Sequence, residues 1–262
     1  MVGASGRFDV SVVVPTLREA QNIAALAGQV AQAMAPTGLR WEMVVVDDDS
    51  GDGIEAPVAA LAETLPVRLL VRAGQRRSLS LSVIMGIERC GADRVVVMDA
   101  DLSHPPSSIP AMLAALDGVD MVVGSRYAAG GEIDVDWGWH RRAVSRIGTL
   151  LARPLVACTD PLSGFFALDR RAVPDLAGLK PIGYKIGLEL MVRGRLRLGE
   201  VPIAFRDRES GRSKFNLTEQ LRFIRHLVRL YRDALIRHLV RLCRDALIRR
   251  AGRGGGRDRR LR

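Results

Sequence analysis

Buried-strand patterns alternate with helical patterns over the first half of this 262-residue chain. Compact runs of apolar, largely β-branched residues predict strands at Val10–Val14, Met43–Val46, Arg68–Val71, Arg94–Met98 and Met121–Val123. Between them, apolar residues at helical spacing predict helices at about Glu19–Met34 and Leu79–Arg89. Continuous apolar strands that alternate with helices are typical of a parallel sheet covered on both faces. The sequence therefore predicts an α/β domain with a mostly parallel sheet flanked by helices.

The composition fits a folded protein with a substantial core. Hydrophobic residues make up 48% of the chain and charged residues 26%, which excludes an intrinsically disordered protein. The cysteines, Cys90, Cys158 and Cys243, form no CxxC pair, which argues against a disulfide framework or a zinc site and favours a reducing compartment. The sequence has neither an apolar run of the ~20 residues that a membrane span needs nor an apolar signal segment. A secreted or integral membrane protein is therefore not expected.

Polar and charged residues follow the carboxyl ends of the predicted strands. Pro15 ends the first strand, Asp47–Asp49 end the second, Asp99 and Asp101 end the fourth, and Arg126 follows the fifth. In open parallel sheets, ligands bind beyond these strand ends. We therefore expect the functional site at this edge of the sheet.

Asp99 and Asp101 form a DxD pair on the turn after the fourth strand. Two carboxylates at this spacing can approach one divalent cation, and hard oxygen ligands suit Mg²⁺ or Mn²⁺. Two other interpretations stay open: a turn in which aspartate bonds to nearby backbone, or the nucleophile and acid pair of a phosphatase. A phosphatase pair would be expected earlier in the chain, with Thr or Val rather than Leu102 after the second aspartate.

Three adjacent acids, Asp47 to Asp49, lead into the turn Ser50–Gly53. Neighbouring carboxylates repel one another unless they meet cations or hydrogen-bond donors. At a strand end they can hold a ribose or the imino group of a base. Helix capping by Ser50 or Asp52 is the alternative, and both roles can hold at once.

Seven motifs carry a resemblance to a known family. In chain order they are PTLREAQNI (15–23), DDDSGDGI (47–54), DADLSHPP (99–106), GSRY (124–127), DPLSGFFAL (160–168), PIGYKIGLEL (181–190) and ESGRSKF (209–215). Together they resemble a family-2 glycosyltransferase of the dolichol-phosphate or polyprenol-phosphate mannose synthase type. The resemblance covers about Val10 to Asp233 and implies the Rossmann-like GT-A fold.

The resemblance also implies a set of site residues. Asp47 would recognise the base, Asp49 would lie near the ribose, and Arg126 would contact the donor phosphate. The whole nucleotide-sugar site would comprise Pro15, Thr16, Glu19, Asp47, Asp49, Asp99, Ala100, Asp101, Arg126, Arg208 and Lys214. Mg²⁺ or Mn²⁺ would be held by Asp99, Asp101 and Ser103. Catalysis would rest on Asp101, Arg126 and Lys214.

The implied reaction is transfer of mannose from GDP-mannose to dolichyl or polyprenyl phosphate. The lipid phosphate is ionised at neutral pH and needs no strong general base, so direct attack would invert the anomeric centre and give a β-linked product. Tyr184, Lys185 and Glu189 lie in a segment that resembles the acceptor-side helix of the family, and exposed helix surface is the alternative interpretation, whereas His104 is interpreted as structural. The alternatives are glucosyl transfer from UDP-glucose to the same lipid, and a non-catalytic nucleotide-sugar-binding module that docks partners.

A basic helical pattern covers Leu217–Arg250. Its arginines alternate with apolar residues on the opposite side, with Arg222, Arg225, Arg229 and Arg232 opposite Leu221, Ile224, Val228 and Tyr231. Twelve residues are duplicated, as RHLVRLYRDALI at 225–236 and RHLVRLCRDALI at 237–248. At about 100° per residue, the second copy is rotated by about 120°, so the two copies cannot present one continuous face.

Basic charge is concentrated at the carboxyl end of the chain. The net charge is +10, and the last fourteen residues carry seven arginines and one aspartate, a net charge of +6. We predict a GT-A domain at 8–215, a basic amphipathic helical extension at 216–250 and a disordered Arg/Gly-rich tail at 251–262. The extension and tail would hold the protein peripherally at the cytoplasmic face of a membrane, through an anionic surface or a membrane-spanning partner subunit. Nucleic acid is not expected as a partner.

Overall fold

The computed structural model describes residues 8–134, 139–173, 175–176, 178–179, 181–206 and 217–254. The strands of this part of the chain are β1 (Val10–Thr16), β2 (Trp41–Asp47), β3 (Val67–Val71), β4 (Arg94–Val97), β5 (Met121–Ser125), β6 (Glu132–Asp134), β7 (Phe166–Asp169), β8 (Leu198–Pro202) and β9 (Ala204–Arg206). The α-helices are α1 (Ile23–Met34), α2 (Glu55–Ala62), α3 (Leu79–Arg89), α4 (Ile109–Ala115), α5 (Trp139–Ala152), α6 (Ile186–Gly194) and α7 (Leu217–Gly254). All the strands predicted from the sequence are confirmed as β1 to β5.

The main sheet has seven strands in the order β3-β2-β1-β4-β7-β5-β8. Strand β1 lies near its centre and pairs in parallel with β2 and β4, with Val13 opposite Val44 on one side and Val97 on the other. The exception to parallel pairing is β7, which runs antiparallel between β4 and β5. Strands β6 and β9 form a separate parallel pair. The predicted α/β fold with a mostly parallel sheet is therefore confirmed.

Both faces of the sheet are covered by helices, as the continuous apolar strands require. Val12 and Val14 of β1 belong to a core cluster that includes Leu26 of α1, whereas Val13 faces the opposite cluster with Ile87 of α3. Gly86 allows α3 to pack directly against Val13, because a β-carbon at this position would overlap that side chain.

A third core cluster joins α5, α6 and α7 on one side of the domain. It contains Phe223, Leu227 and Leu230 of α7, packed with Leu188 of α6 and Ala152 at the end of α5. The sequence interpretation of α7 recognised its basic and apolar sides but missed this buried third side. The predicted carboxyl-terminal helix is confirmed, and it runs to Gly254, four residues past the predicted boundary at residue 250. Residues 255–262 of the predicted tail lie outside the described residues.

None of the helices in the described ranges is both long enough and apolar enough to cross a membrane. Cys90 and Cys158 are buried free thiols. Burial raises the pKa of both thiols, which disfavours the reactive thiolate.

Candidate active site

Six of the predicted site residues converge on one edge of the main sheet. Strands β1, β2, β4 and β5 run in the same direction, so their carboxyl ends share this edge. The strand order reverses at β1, because β2 and β3 lie on one side of it and β4 on the other. Ligands of open α/β sheets bind at such a reversal. The structure brings to this edge Pro15, Thr16, Asp47, Asp99, Asp101 and Arg126.

Backbone strain is concentrated in the loops at this edge. Arg18, Asp49 and Leu102 adopt left-handed conformations, with φ of 63°, 57° and 62°. These conformations are costly for residues with side chains and cluster at functional sites. Contacts between loops hold two of them, since the Arg18 backbone N–H donates to Ser50 Oγ (2.8 Å) and Arg77 Nη2 donates to the Asp49 carbonyl (2.7 Å).

The DxD pair after β4 has one buried and one open carboxylate. Asp101 is 5% exposed, and its Oδ1 accepts hydrogen bonds from the Ser103 hydroxyl (2.6 Å) and the Ser103 backbone N–H (3.2 Å). The Asp99 side chain is 33% exposed and lies beside Gly164. Ser103 therefore orients Asp101, whereas Asp99 is accessible from the strand edge.

The donor set of this turn fits a divalent cation that also binds a substrate. In the described ranges, no group of three or more His, Cys, Asp or Glu side chains is placed to hold a metal ion. Mg²⁺ commonly uses one or two carboxylates and completes its shell with water and substrate phosphates. Asp99 and Asp101 supply such a pair, and Ser103 keeps its oxygen lone pairs while its proton points to Asp101.

His104 is buried and contacts the backbone of the DxD turn. It is 3% exposed, its ring stacks on Phe165 at 5.2 Å, and its Nδ1 accepts the Asp99 backbone N–H at 3.1 Å. Burial lowers the pKa of His104, against the opposing charges of Asp99 and Asp101. These contacts describe a neutral ring that packs and positions, in line with the structural interpretation of His104.

Arg126, which follows β5, is held by a buried acid. Asp160 is fully buried and accepts two parallel bonds from the guanidinium, from Nε at 2.7 Å and Nη2 at 2.9 Å, and a third from the Arg126 backbone N–H. Burial alone would lower the pKa of Arg126, but the hydrogen bonds and charge of Asp160 outweigh it and raise the pKa. The guanidinium also lies over the rings of Tyr127 and Phe205.

Asp160 was missed by the sequence interpretation, although it stands in a quoted motif. A sequence signal was available, because a lone aspartate between an apolar segment and a proline needs a cation when buried. The sequence did not show which cation this would be, because Arg126 lies 34 positions from Asp160 in the chain.

The three acids after β2 have different partners. Asp47 is 2% exposed and accepts bonds from the Thr16 hydroxyl and from the Ser50 hydroxyl and backbone N–H. Asp48 is equally buried and pairs with Arg72, which is itself 2% exposed. Asp49 alone among them is exposed. The Asp48–Arg72 pair was not expected from the sequence, because Asp48 follows β2 whereas Arg72 follows β3.

The remaining predicted site residues are placed as follows. Glu19 is half-buried, and its Oε2 accepts from the Asn22 side chain at 2.7 Å. Ala100 is buried between the two acids of the DxD pair. Arg208 and Lys214 lie outside the described residues.

Two residues of the segment predicted to lie on the acceptor side, Lys185 and Glu189, have different environments. Lys185 donates from Nζ to the carbonyl of Leu162 at 2.7 Å, and its charge acts on His104 at the strand edge. Glu189 is fully buried and faces α7, where it accepts bonds from Arg229 and His226 as well as from Arg193 of its own helix. The interpretation of Glu189 as exposed helix surface is therefore wrong, because its position on α6 turns it toward α7, whereas the acceptor-side placement of this segment stays a prediction.

Sequence comparison relates most of the chain to known proteins. Residues 11–176 match the family described as "Glycosyl transferase family 2". The chain is 37% identical over 232 residues to a dolichol-phosphate mannosyltransferase of Mycosarcoma maydis, which covers 85% of this chain and 79% of that protein. It is 36% identical over 234 residues to the protein of that name from Saccharomyces cerevisiae, covering 86% and 87%. A third protein of that name, from Pyrococcus furiosus, is 37% identical over 227 residues, covering 84% of this chain and 63% of the relative.

Comparison with solved structures supports the fold. Glucosyl-3-phosphoglycerate synthase from Mycobacterium tuberculosis, in complex with Mn²⁺, UDP-glucose and phosphoglyceric acid, superposes with a TM-score of 0.60 at 21% identity, covering 87% of this chain and 79% of that one. The same enzyme with Mn²⁺, UDP and glucosyl-3-phosphoglycerate gives a TM-score of 0.59 at 20% identity, covering 87% and 80%. At these identities the likeness concerns the arrangement of strands and helices.

Proposed function

The chain belongs to glycosyl transferase family 2, and on that basis we propose that it transfers mannose from GDP-mannose to dolichyl or another polyprenyl phosphate, with inversion at the anomeric carbon. The observation that carries the proposal is the oriented pair Asp99 and Asp101 at the strand edge that also holds Arg126. This edge lies within a chain that is 36–37% identical to dolichol-phosphate mannosyltransferases over most of its length.

The site is organised around the leaving group. In the proposed reaction an oxygen of the lipid phosphate forms a bond to the anomeric carbon, and the bond from that carbon to the β-phosphate oxygen breaks, so that GDP leaves with the electron pair. A divalent cation, Mg²⁺ or Mn²⁺, held by Asp99 and Asp101 would supply positive charge to the departing diphosphate. Arg126 adds a fixed positive charge, because Asp160 holds its guanidinium in one orientation.

The acceptor requires little help with proton removal. A phosphate monoester is already ionised near neutral pH, because its second pKa is about 6. His104, the buried ring at this edge, uses Nδ1 to accept the Asp99 N–H and is stacked on Phe165. We therefore assign His104 to positioning of the DxD turn and propose direct in-line attack, which gives a β-linked product.

The proposal is tested by incubating the full-length protein with a polyprenyl phosphate, Mg²⁺ or Mn²⁺, and labelled GDP-mannose or UDP-glucose. We expect label in the lipid fraction from GDP-mannose and little from UDP-glucose. Preferential labelling from UDP-glucose would replace the donor assignment. Absence of labelled lipid with both donors, from protein that binds a nucleotide, would favour a non-catalytic nucleotide-sugar-binding module.

Alanine at Arg126 is expected to lower kcat/KM for GDP-mannose about 10- to 100-fold, since a bond between charged groups contributes that much to a bound state. Arg171 is a matched control, because it also pairs with an aspartate, Asp169, but is 70% exposed at the opposite edge of the sheet. Arg171→Ala should leave kcat/KM within about twofold. Equal small losses of kcat/KM in the two variants would show that Arg126 does not contact the donor phosphate.

We also propose that the protein works at the cytoplasmic face of a membrane, where its lipid acceptor would be anchored. Helices α5 and α7 lie side by side, and the Tyr231 hydroxyl donates to the Leu151 carbonyl at 2.7 Å. Together they expose a set of large apolar side chains: Ile147, Leu150, Leu151, Leu221, Ile224, Val228, Leu235 and Leu239. Exposed arginines such as Arg225 and Arg232 occupy the next side of α7. An apolar face bordered by arginines suits the boundary between lipid tails and anionic headgroups.

The duplicated segments of α7 have different surroundings, as their rotation predicts. In the first copy, His226 is 1% exposed and Leu227 is 6% exposed, both against the domain. The equivalent residues of the second copy, His238 and Leu239, are exposed. At these positions, identical sequences therefore pack against the domain in the first copy and face solvent in the second, where a described contact with the domain is that of Arg237 with the Val192 carbonyl. This difference supports a role for the second copy outside catalysis.

Truncation after Ile236 is expected to leave transfer to a short, detergent-dispersed polyprenyl phosphate unchanged and to weaken binding to anionic liposomes. The truncation removes the second copy and the basic tail, and each basic residue near an anionic surface contributes about 1 kcal/mol. Flotation of both proteins with anionic vesicles at low and high salt measures the effect. If full-length protein fails to float at low salt, or if truncation changes nothing, a membrane-spanning partner subunit becomes the better explanation.

A further inference from the structure

The first copy of the duplicated segment, 225–236, docks α7 on the domain. Its residues that face the domain include His226, Leu227, Arg229, Leu230 and Asp233. Glu189 of α6 accepts from Arg229 Nη2 at 2.7 Å and lies 3.1 Å from His226 Nε2, and Arg193 Nη2 donates to Asp233 at 2.7 Å. We call the surface that receives this copy the docking site; it is formed by Ala152, Leu188, Glu189, Val192 and Arg193.

The second copy, 237–248, repeats each of these residues twelve positions later in the sequence. The identical counterparts are His238, Leu239, Arg241, Leu242 and Asp245. The match extends past the copies, because Arg237, which donates to the Val192 carbonyl at 3.5 Å, has Arg249 as its counterpart. In the structure His238 and Arg241 are exposed, and Leu239 is 51% exposed. The chain therefore carries a second set of the residues that dock α7.

Helical geometry allows the second set to reach the docking site. Advancing α7 by twelve residues along its own screw moves it about 18 Å along its axis and turns it by about 120°. This movement places each residue of the second copy where its counterpart was, because the same rotation separates the two copies. The chain between β9 and the docked helix would lengthen by twelve residues. Loop-closure entropy rises only with the logarithm of loop length, so this lengthening costs little.

Differences between the two sets explain why the first copy is the one docked in the structure. The Tyr231 hydroxyl donates to a carbonyl of α5 at 2.7 Å, whereas its counterpart in the second copy is Cys243. Phe223 is 8% exposed in the core cluster, and its counterpart, Leu235, fills less volume. The movement would also give up the helix at 217–228, which would join the connection to β9.

We propose that α7 has two docking registers, and that 237–248 occupies the docking site when the contacts of 225–236 are lost. In the second register, Glu189 pairs with Arg241 and His238. The helix that continues past the docked segment shortens from 237–254 to 249–254. The register therefore sets how much basic helix extends beyond the domain.

Hydrogen exchange of the full-length protein, followed by mass spectrometry, reports which copy is docked, because amides of a packed helix exchange more slowly than those of an exposed one. The first-copy variant combines Leu227→Asp with Arg229→Glu, which sets two acids beside Glu189. The second-copy variant combines Leu239→Asp with Arg241→Glu, the same changes at exposed positions, and is the matched control. Unchanged slow exchange in β1 and β4 shows that the domain of each variant is folded.

Peptides that include Tyr231 or Cys243 distinguish the copies, whose sequences are otherwise identical. In the wild type and the second-copy variant, 225–236 should exchange about tenfold or more slowly than 237–248. In the first-copy variant this order should reverse, and all four substitutions together should remove slow exchange from both copies.

Absence of slow exchange over 237–248 in the first-copy variant would overturn the second register. A rise in the mass of that variant above the wild type, measured by light scattering, would also overturn it, because the second copy would then be docked on another molecule.

Discussion

Replacing Asp101 by alanine is expected to abolish mannosyl transfer, with a loss in kcat on the order of 10²–10³ or more. The carboxylate is buried and pre-oriented by the hydroxyl and backbone N–H of Ser103, so it is ready to hold positive charge at the donor diphosphate. Without it, charge that grows on the leaving GDP is left unshielded in the transition state. Asp99, the other acid of the pair, has a side chain that is 33% exposed and is not expected to substitute for Asp101.

Steady-state rates with GDP-mannose and a polyprenyl phosphate measure the effect, with Mg²⁺ or Mn²⁺ present and with chelator in excess. Ser103→Ala should retain part of the activity, because it loosens Asp101 without removing the carboxylate. Asp117→Ala, an exposed aspartate distant from this edge, should behave as the wild type. Full activity of Asp101→Ala, or of the wild type in excess chelator, would contradict the proposal that a divalent cation bound by Asp101 takes part in the reaction.

Glu189→Gln is expected to lower the free energy of unfolding by about 3–5 kcal/mol, because it breaks a buried ion network by removing its anion. Glu189 is fully buried, and its Oε1 accepts from Arg193 Nε at 2.8 Å and from Arg229 Nη2 at 2.7 Å. His226 Nε2 lies 3.1 Å from its Oε2. The substitution keeps the shape of the side chain but leaves two guanidinium groups facing a neutral amide.

Denaturant unfolding of the full-length chain, followed by a probe of helix content, measures this loss. The matched control is Asp120→Asn, which breaks the exposed pair between Asp120 and Arg197, whose side chains are 21% and 69% exposed. That variant should lose about 1 kcal/mol or less. Losses of similar size in the two variants would mean that the Glu189 network does not hold α7 to the domain.

The Glu189 network also corrects the interpretation of α7 as a surface helix. Arg229 was grouped with the other arginines on the basic side, yet it bonds to Glu189 and its side chain is 18% exposed. Phe223, Leu227 and Leu230 are buried beside it. A helix with apolar residues on two sides and arginines on a third can pack against the domain through either apolar side. Its sequence alone therefore could not show which apolar side is buried.

Prediction from the sequence worked where the signal is local. Strands β1 to β5 and helix α3 follow directly from runs of apolar residues, and the polar residues at the strand ends indicated the edge at which the candidate site lies. Strand β7 was not predicted, because its four residues, Phe166–Asp169, are too few to establish a pattern and its direction depends on its neighbours β4 and β5.

The candidate site shows the same division. The DxD pair and Arg126 were found from their own motifs, and the structure places them at one edge. The partners that orient them were less accessible: Ser103 is local to Asp101 and was named as a ligand, whereas Asp160, the partner of Arg126, was given no role. The unequal accessibility of Asp47, Asp48 and Asp49 could not be read from three identical letters in a row.

By itself the sequence determined the α/β class, the succession of the first five strands, the presence of acids at their ends and the membership of a glycosyltransferase family. Those properties reside in neighbouring residues and in the order of short motifs. The tertiary structure alone decided which charges are paired, since Asp48 meets Arg72, Arg126 meets Asp160 and Glu189 meets Arg229 across 24, 34 and 40 positions of the chain. Contacts at that separation depend on how the strands and helices pack. Burial in the folded chain makes an unpaired charge energetically costly, so the fold is stable only when each buried charge meets an opposite one.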